Sequence, residues 1–367
     1  MHWHLRPRFA RFVPWAILFA LGMESAHGAD WLFRPRLSAS SCSEVSCTDE
    51  GCTAFDGIAS DAPSDPTSAD PLAPIASDEP QLPLEQFAAL GSDSVALADV
   101  GTAYIDIARP MNLVRLRFDA AYHSDRPNRA EYFYARGAPV GPGLPRVETQ
   151  LDYQDYSLYL EKTVGDNFSV FAEMAAHALN PTVNDNTTGL GDMNAGFKRA
   201  FVNDHDRVLT LQLKTFMATG DVDRGLGTGH ASIEPGLLTF RRMTDRWNLA
   251  GEMRYWVPIE GTPGFAGNIF RAGIGSSYTL WSDRNGRHIT PIVEVVSWTV
   301  LNGQETAASS PTVFANQSAA GDVIVNVKPG VRFGLGPRSD MYIGYGRAVT
   351  GPVWYEDIVR AELRWNF

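Results

Sequence analysis

The side chains with the clearest chemical potential in this sequence are charged residues spaced two apart. Three sets show this spacing: Arg115 with Arg117, Glu252 with Arg254, and Arg360 with Glu362 and Arg364. Residues two apart in a β-strand point to the same face of a sheet. Around a solvated interior, such a face can sort polar solutes, or its charges can pair with one another and make the interior rigid. Over all the positions that share such faces in this sequence the two signs nearly balance, so we expect ion pairing for most of these residues.

Signals for catalysis or for a bound cofactor are weak. A barrel phospholipase needs a serine, a histidine and an acid or amide held together, and neither His123 nor His177 has an obvious serine partner. The alternation of apolar and polar residues places both histidines on the polar face of their strands, toward the interior of the predicted sheet. The stretches G-D-V-D at 220–223 and G-L-G-T-G at 225–229 lack the following helix that a phosphate-binding loop requires. We therefore predict a flexible loop there, no enzymatic activity, no cofactor and no metal site.

The N-terminus has the features of a secretory signal peptide. A basic start with three arginines precedes an apolar run, Phe12–Met23, and the small residues A-H-G at 26–28 provide a cleavage site. The apolar run is shorter than the roughly 20 residues that a transmembrane helix needs. We predict a signal peptide over residues 1–28 and export of the rest of the chain.

Residues 29–110 are predicted to form an exported, mostly disordered acidic segment. Most of it is rich in Ser, Asp, Pro and Ala, a composition that buries too little apolar surface to fold. Cys42, Cys47 and Cys52 lie in this segment without nearby histidines. That favours one disulfide and a third free or intermolecular thiol over a metal knuckle. The formal net charge of −11 argues against nucleic acid as a partner.

Residues 111–367 alternate between apolar and polar types. The final run, V-R-A-E-L-R-W-N-F, changes character at every step, which is typical of a strand with two different faces. We predict twelve such strands, at 112–123, 153–164, 167–178, 191–202, 207–218, 230–242, 247–258, 268–281, 288–300, 322–335, 340–349 and 354–367. Each has at least about the 9–11 residues that a tilted strand needs to cross a bilayer. An even number of strands is expected of a single-chain outer-membrane barrel.

The links between the strands favour a barrel over a soluble sheet, although alternation alone fits either. Long links alternate with short ones such as Gly165-Asp166 and 203–206, as in barrels with short periplasmic turns and longer external loops. Aromatic residues at strand ends, such as Trp247 and Tyr355, predict two interfacial girdles. We therefore predict an all-β fold: a twelve-stranded antiparallel transmembrane β-barrel in the outer membrane of a Gram-negative-type bacterium. A disordered periplasmic N-terminal segment would precede it.

A polar face that lines such a barrel contains nine candidates for contact with a solute. They are Arg115, Arg117, Glu252, Arg254, Arg271, Lys328, Arg332, Arg360 and Arg364. Strands one, ten and twelve lie close together in a closed barrel, so their arginines predict a wall suited to anions such as carboxylates. Inward glycines, including Gly273, Gly275 and Gly330, leave room for a pore or relieve curvature.

The stretch G-L-G-D-M-N-A-G-F-K at 189–198 resembles the recurrent G-L-G-D-x-x-x-G-x-K signature of an outer-membrane β-barrel family. A-T-G-D at 218–221, G-L-G-T-G at 225–229 and P-G-L at 235–237 resemble further parts of its pattern. The family is labelled as transporters of the meta-cleavage pathway of phenol degradation. The resemblance implies a barrel that passes small, aromatic molecules, and it implies that Asp192 marks the start of a strand.

The sequence thus favours an outer-membrane channel or transporter for small solutes, anionic or aromatic in type. Two alternatives stay open: a structural or surface-interaction barrel with a plugged lumen, and a barrel enzyme of the phospholipase type. The predicted partners are outer-membrane lipid, small-molecule solutes and, through the C-terminal Phe367, the outer-membrane insertion machinery. No oligomeric state is predicted.

Overall fold

The long strands of the chain pair into one closed sheet. The computed structural model describes residues 102–125, 142–259, 261, 264–310, 313–351 and 353–367. The long strands are β1 (Leu113–Ser124), β2 (Leu151–Thr163), β3 (Phe168–Pro181), β4 (Met193–Asn203), β5 (Arg207–Met217), β6 (Ser232–Arg242), β7 (Trp247–Pro258), β8 (Ile269–Tyr278), β9 (Arg287–Val300), β10 (Val323–Gly336), β11 (Ser339–Ala348) and β12 (Asp357–Asn366). Each pairs antiparallel with the next in sequence, and β12 pairs back to β1, with Leu113 opposite Asn366. The predicted all-β, twelve-stranded antiparallel barrel is confirmed.

Shorter elements extend the barrel at its rims. Residues Thr187–Leu190 pair with the end of β3, and Gln304–Ser310 pairs with Val313–Ser318 as a separate hairpin beyond β9. No helix among the described residues is long and apolar enough to cross a membrane. The predicted signal peptide, the three cysteines and the acidic segment as far as residue 101 lie outside the described residues.

The two faces of the strands have opposite chemistry, as the alternation predicts. Within β9, the outward Val293 and Val295 are 49% and 36% exposed, whereas Glu294 between them is 0% exposed. The same pattern repeats around the barrel, where most large exposed residues are apolar and most buried charged residues face the interior. An apolar outer band with a polar interior is the arrangement of a transmembrane barrel, because lipid replaces water at the outer face. This fold is that of an outer-membrane β-barrel.

The links have the predicted rhythm. Links such as 204–206 between β4 and β5, or 337–338 between β10 and β11, are short and lie at the end of the barrel that carries Leu113 and Asn366. We call this the short-turn end. The longer links, including 218–231 and 301–322, lie at the opposite, long-loop end. Exposed Trp247 belongs to the girdle at the short-turn end and exposed Tyr255 to the girdle at the long-loop end.

Two expectations about residues near the long-loop end are wrong. Tyr355 does not join the outer girdle: it is 6% exposed, because β12 begins only at Asp357 and the preceding link turns inward. His123 does not face the lumen. A register irregularity between Ala121 and Ser124 interrupts the alternation, and His123 takes a positive φ of 57° with an exposed side chain.

The chain just before β1 lies inside the barrel. We call residues 102–112 the lumen segment. Ile105 is 2% exposed and Ile107 is 3% exposed, and both belong to clusters with barrel residues. The predicted boundary of the disordered segment at residue 110 is therefore too late, because residues 102–110 are packed in the lumen. Within them, Tyr104, Ile105 and Ile107 are buried against the barrel.

Candidate functional site: a filled lumen and a cavity

A buried carboxylate on β9 holds the lumen segment by its backbone. The two oxygens of Glu294 accept hydrogen bonds from the amide N–H groups of Ala103, Tyr104 and Ile105, at 3.1, 2.8 and 3.0 Å. Glu294 itself is 0% exposed. A buried charge is costly unless it is paired or fully hydrogen-bonded, so the three amides satisfy Glu294 and fix the segment together.

Arginines of the wall bind the carbonyl groups of the same segment. Arg332 donates to the oxygen of Thr102 at 2.5 Å, Arg360 to that of Ala103 at 2.7 Å, and Arg271 to that of Tyr104 at 2.7 Å. These three arginines come from three different strands. The segment is thus held from several sides of the barrel by charge-assisted hydrogen bonds, which are stronger than neutral ones.

Asp106 is the ionic centre of the lumen segment. Its carboxylate lies 2.7 Å from Arg254, 3.3 Å from Lys214 and 3.7 Å from Arg115, counted to the nearest guanidinium or ammonium nitrogen. Its own amide donates to Glu252 at 3.3 Å. Three cations around one carboxylate make the segment an integral part of the charge balance of the lumen.

The segment leaves the lumen at the short-turn end. Arg109 donates to the side chain of Asn203 and to the backbone oxygen of Asp204, both at 2.7 Å. The amide of Met111 donates to Glu161, which also pairs with Lys198 at 2.7 Å. These contacts tie the end of the segment to the turn between β4 and β5 and to β2.

The room that the inward glycines leave is filled. A Cβ placed on Gly273 or Gly275 would lie 3.2 Å from a side-chain carbon of Ile105, and one on Gly330 would collide with the hydroxyl of Tyr342. The prediction that these glycines leave an open pore is wrong in this structure. They instead allow the lumen segment and an aromatic side chain to approach the wall closely.

The predicted arginine wall is present, but its charges are paired. Arg332 and Arg364 share Asp340 at 2.5 and 2.7 Å, and Arg360 binds Asp119 at 2.6 Å. Every other candidate cation except Lys328 has a carboxylate within 4.0 Å, as Arg115, Arg117, Arg254 and Arg271 show. The interpretation as a salt-bridged filling therefore fits most of these residues, and the wall holds few charges free for a solute.

A cavity of about 430 Å³ lies on the long-loop side of the lumen segment. Four of the nine predicted solute-contact residues line it: Arg117, Arg271, Lys328 and Arg360. The other five, Arg115, Glu252, Arg254, Arg332 and Arg364, do not line it and take part in the ion pairs and segment contacts described above. Tyr104 and Asp106 of the lumen segment belong to its wall, so the segment closes the cavity on the side of the short turns.

Aromatic side chains form much of the remaining wall. Trp298 and Trp354 meet edge to face, with ring centroids 5.1 Å apart, and Trp256 and Tyr355 line the cavity as well. Sequence analysis does not single out Trp298, although it lies within the predicted strand that became β9. It misses Trp354 and Tyr355, because they precede the strand and no periodicity orients them.

The loop after β5 is ordered by a single carboxylate. Asp192 accepts from the amides of Gly220 and Thr228, at 2.9 and 2.7 Å, and from the Thr228 hydroxyl at 2.8 Å. The bonds fold the loop so that Leu226, which is 2% exposed, reaches the cavity. The loop predicted to be flexible is thus tied down. Asp192 directly precedes β4, as the resemblance implies. Its carboxylate also fixes the loop that lines the cavity.

The two histidines occupy different surroundings. His177 lines the cavity, and its Nδ1 lies 2.6 Å from Asp155. His123 lies at the exposed rim, with its Nδ1 3.9 Å from Glu356. Among the described residues, no serine hydroxyl makes a hydrogen bond to either ring, so the arrangement does not assemble a serine nucleophile with its base.

Comparison with known proteins finds similarity among solved structures alone. No protein-family model and no curated protein matches it. Among solved structures, an outer-membrane channel from Pseudomonas putida F1 shares 9% identity at a TM-score of 0.46, covering 73% of this chain and 98% of that one. The NanC porin (12%, TM-score 0.42, 69% and 100% covered) and the KdgM porin (10%, 0.39, 70% and 99%) are also similar. With scores this low, the fold assignment rests on the strand pairing itself.

Proposed function

We propose that this protein is an outer-membrane channel for small solutes and that a solute passes only when the lumen segment moves. The observation that carries the proposal is the cavity of about 430 Å³ inside the barrel, which is closed on one side by residues 102–112. A cavity of this size, aromatic on some walls and charged on others, fits a small organic molecule. Lys328, which has no carboxylate within 4.0 Å among the described residues, and the aromatic rings together support solutes of anionic or aromatic type.

The loop lengths support an orientation in the membrane. Short turns are periplasmic and long loops are external in outer-membrane barrels. The cavity then lies on the external side, and the chain that precedes residue 102 begins in the periplasm. Contact with lipid follows from the apolar outer band. Recognition of Phe367 by the insertion machinery is part of the same proposal, supported by the alternating last strand, β12.

The family resemblance is carried as a proposal as well. What supports it is that the motif residues Gly189 to Asp192 have local structural roles: they end one hairpin, and Asp192 bonds to the next loop. Membership in the family of transporters of the meta-cleavage pathway of phenol degradation would agree with an aromatic-lined cavity. We propose a transport function rather than a catalytic one, because the described histidines lack a serine partner.

The second candidate is a structural or surface-interaction barrel with a permanently plugged lumen. The dense contacts of the lumen segment favour it over a simple open pore. The two candidates differ in one property, which is whether the segment ever leaves the lumen. A plugged barrel conducts neither ions nor solutes, whereas a channel with a movable segment conducts intermittently.

Planar-bilayer recordings test the proposal. We expect the purified mature chain to show brief openings of low conductance. A chain that lacks residues 29–110 is expected to show longer openings of several-fold higher conductance, because the lumen segment is removed. Heat-modifiable mobility on gels checks that both barrels are folded. The absence of conductance from both folded chains would contradict the channel.

A further inference from the structure

One cation in the lumen lacks a carboxylate partner. Lys328 on β10 is 2% exposed, yet no carboxylate of the described residues lies within 4.0 Å of its ammonium. Its ammonium donates a hydrogen bond to the phenol oxygen of Tyr355, at 2.8 Å. A buried lysine without a carboxylate partner depends on other groups for compensation, so the surroundings of Lys328 in the wall of the cavity decide what it can bind.

The natural partner of Lys328 is engaged elsewhere. Glu294 lies directly opposite Lys328 in the register of β9 and β10, and such cross-strand pairs of opposite charge normally attract each other. The carboxylate of Glu294 instead binds three amides of the lumen segment. While the segment is in place, the side-chain nitrogen of Lys328 therefore lies beside the cavity without Glu294 as its partner.

The surroundings of the ammonium are aromatic. Its nitrogen lies 3.8 Å from the ring centroid of Tyr104, 5.1 Å from that of Trp298 and 5.5 Å from that of Tyr355. The edge-to-face pair of Trp298 and Trp354 continues this surface along the cavity. Aromatic faces stabilise a cation, and they also pack against another flat ring.

We propose that this cavity binds an aromatic monocarboxylate, with its carboxylate on Lys328 and its ring against Trp298 and Trp354. Lys328 is the one candidate cation of the described lumen without a carboxylate within 4.0 Å, which matches a ligand with a single negative charge. A polyanion would meet the nearby carboxylates of Asp155, Asp192 and Glu234 in the same cavity. The subsite rests on the proposed channel function only for the route by which the solute arrives, since binding itself needs no passage.

Calorimetric titration of the folded, full mature chain with sodium benzoate in detergent tests the subsite. We expect benzoate to bind, and benzyl alcohol and acetate to bind more weakly, because each lacks one of the two recognised features. Lys328→Met is expected to weaken benzoate binding by about tenfold or more, which corresponds to about 1.4 kcal/mol, since one charge-assisted contact is lost. Lys328→Gln is expected to weaken benzoate binding by a similar factor. It provides a second test of the subsite if Lys328→Met does not fold.

Lys198→Met is the matched control. It removes another buried lumen lysine, one that pairs with Glu161 and does not line the cavity, so it changes the net charge equally. We expect its affinity for benzoate to match that of the unmodified protein. The subsite is overturned if benzoate does not bind, if folded Lys328 variants bind it unchanged, or if Lys198→Met weakens binding as much. Benzoate binding that depends on Lys328 in a barrel without any conductance would instead refute the channel and leave the subsite standing.

Discussion

The two halves of the lumen use their charges differently. Toward the short turns, the charged side chains pair with one another or with the lumen segment, as Asp106 does with three cations. Toward the long loops, a cavity remains, and in its wall Lys328 has no carboxylate partner. Charges that balance internally build a rigid filling, whereas a charge left unbalanced beside a cavity is available to a ligand. The difference separates the part of the lumen that closes the barrel from the part that can recognise a solute.

The largest effect, a loss of stability, is expected at Asp106, in the half of the lumen toward the short turns. Asp106→Asn keeps the shape of the side chain but removes the charge that Arg254, Lys214 and Arg115 share. Since breaking a buried ion pair is strongly destabilising, we expect the free energy of unfolding to fall by about 3 kcal/mol. Urea titration of the folded barrel in lipid vesicles measures this change. An unchanged unfolding midpoint would mean that the lumen segment contributes little to the stability of the barrel.

A smaller and more specific effect, on the open probability, is expected at Glu294, where the two halves of the lumen meet. Glu294→Gln retains one acceptor oxygen but loses the negative charge that holds the amides of residues 103–105. We expect the open probability in planar bilayers to rise several-fold, because the segment is released more often. Glu173→Gln is the matched control, since Glu173 pairs with Arg115 and Arg117 and makes no hydrogen bond or ion pair to the described residues of the lumen segment. Equal behaviour of the two variants would remove Glu294 from the proposed gate.

The smallest effect, on the local stability of a loop, is expected at Glu148, at the rim of the half toward the long loops. Glu148 accepts hydrogen bonds from the amides of Thr182, Val183 and Asn184, at 2.9, 2.8 and 3.0 Å. Burial acts to raise the pKa of Glu148, but the hydrogen bonds from Thr182 and Asn184 outweigh it and lower the pKa below the ordinary value. The stabilisation is therefore complete at neutral pH and is lost as the pH falls through this lowered pKa.

Glu148→Ala is accordingly expected to destabilise the rim by about 1 kcal/mol without changing the barrel. Hydrogen exchange of the amides at 182–184 should become faster in the variant at pH 7, and the difference from the unmodified protein should shrink in acid. Exchange at β1 serves as the internal reference. Identical exchange at 182–184 in the two proteins would show that Glu148 does not hold this loop.

The sequence predicts the wall of the barrel better than its contents. Alternation in steps of two locates the strands and the inward charges because lipid and lumen impose opposite chemistry on neighbouring residues. It fails at His123, where a register irregularity reverses the face, and at Tyr355, which precedes its strand. These errors arise because periodicity carries information only within regular strands.

The lumen segment escapes prediction for a different reason. It has no repeat of its own, and its contacts join residues far apart in sequence, as between Ala103 and Glu294 or Ala103 and Arg360. The available signal was local: Ile105 and Ile107 are large apolar residues shortly before the predicted first strand. The close approach of Ile105 to Gly273 likewise becomes visible only in the folded structure. The sequence predicts Lys328 as an inward cation. It does not predict that Glu294, which lies opposite, binds the lumen segment and not Lys328, because that contact depends on tertiary structure.

The central claim is that the lumen segment must leave for a solute to pass, and a reversible lock tests it most directly. Cysteines at Ile105 and Gly273 are close enough to bridge, since a Cβ on Gly273 lies 3.2 Å from Cγ1 of Ile105, in a chain whose Cys42, Cys47 and Cys52 are changed to serine. Single-channel recording of the same molecules before and after reduction is the measurement. We predict no openings while the disulfide is intact and restored openings once it is reduced. Equal conductance in the oxidised and reduced states would contradict the account.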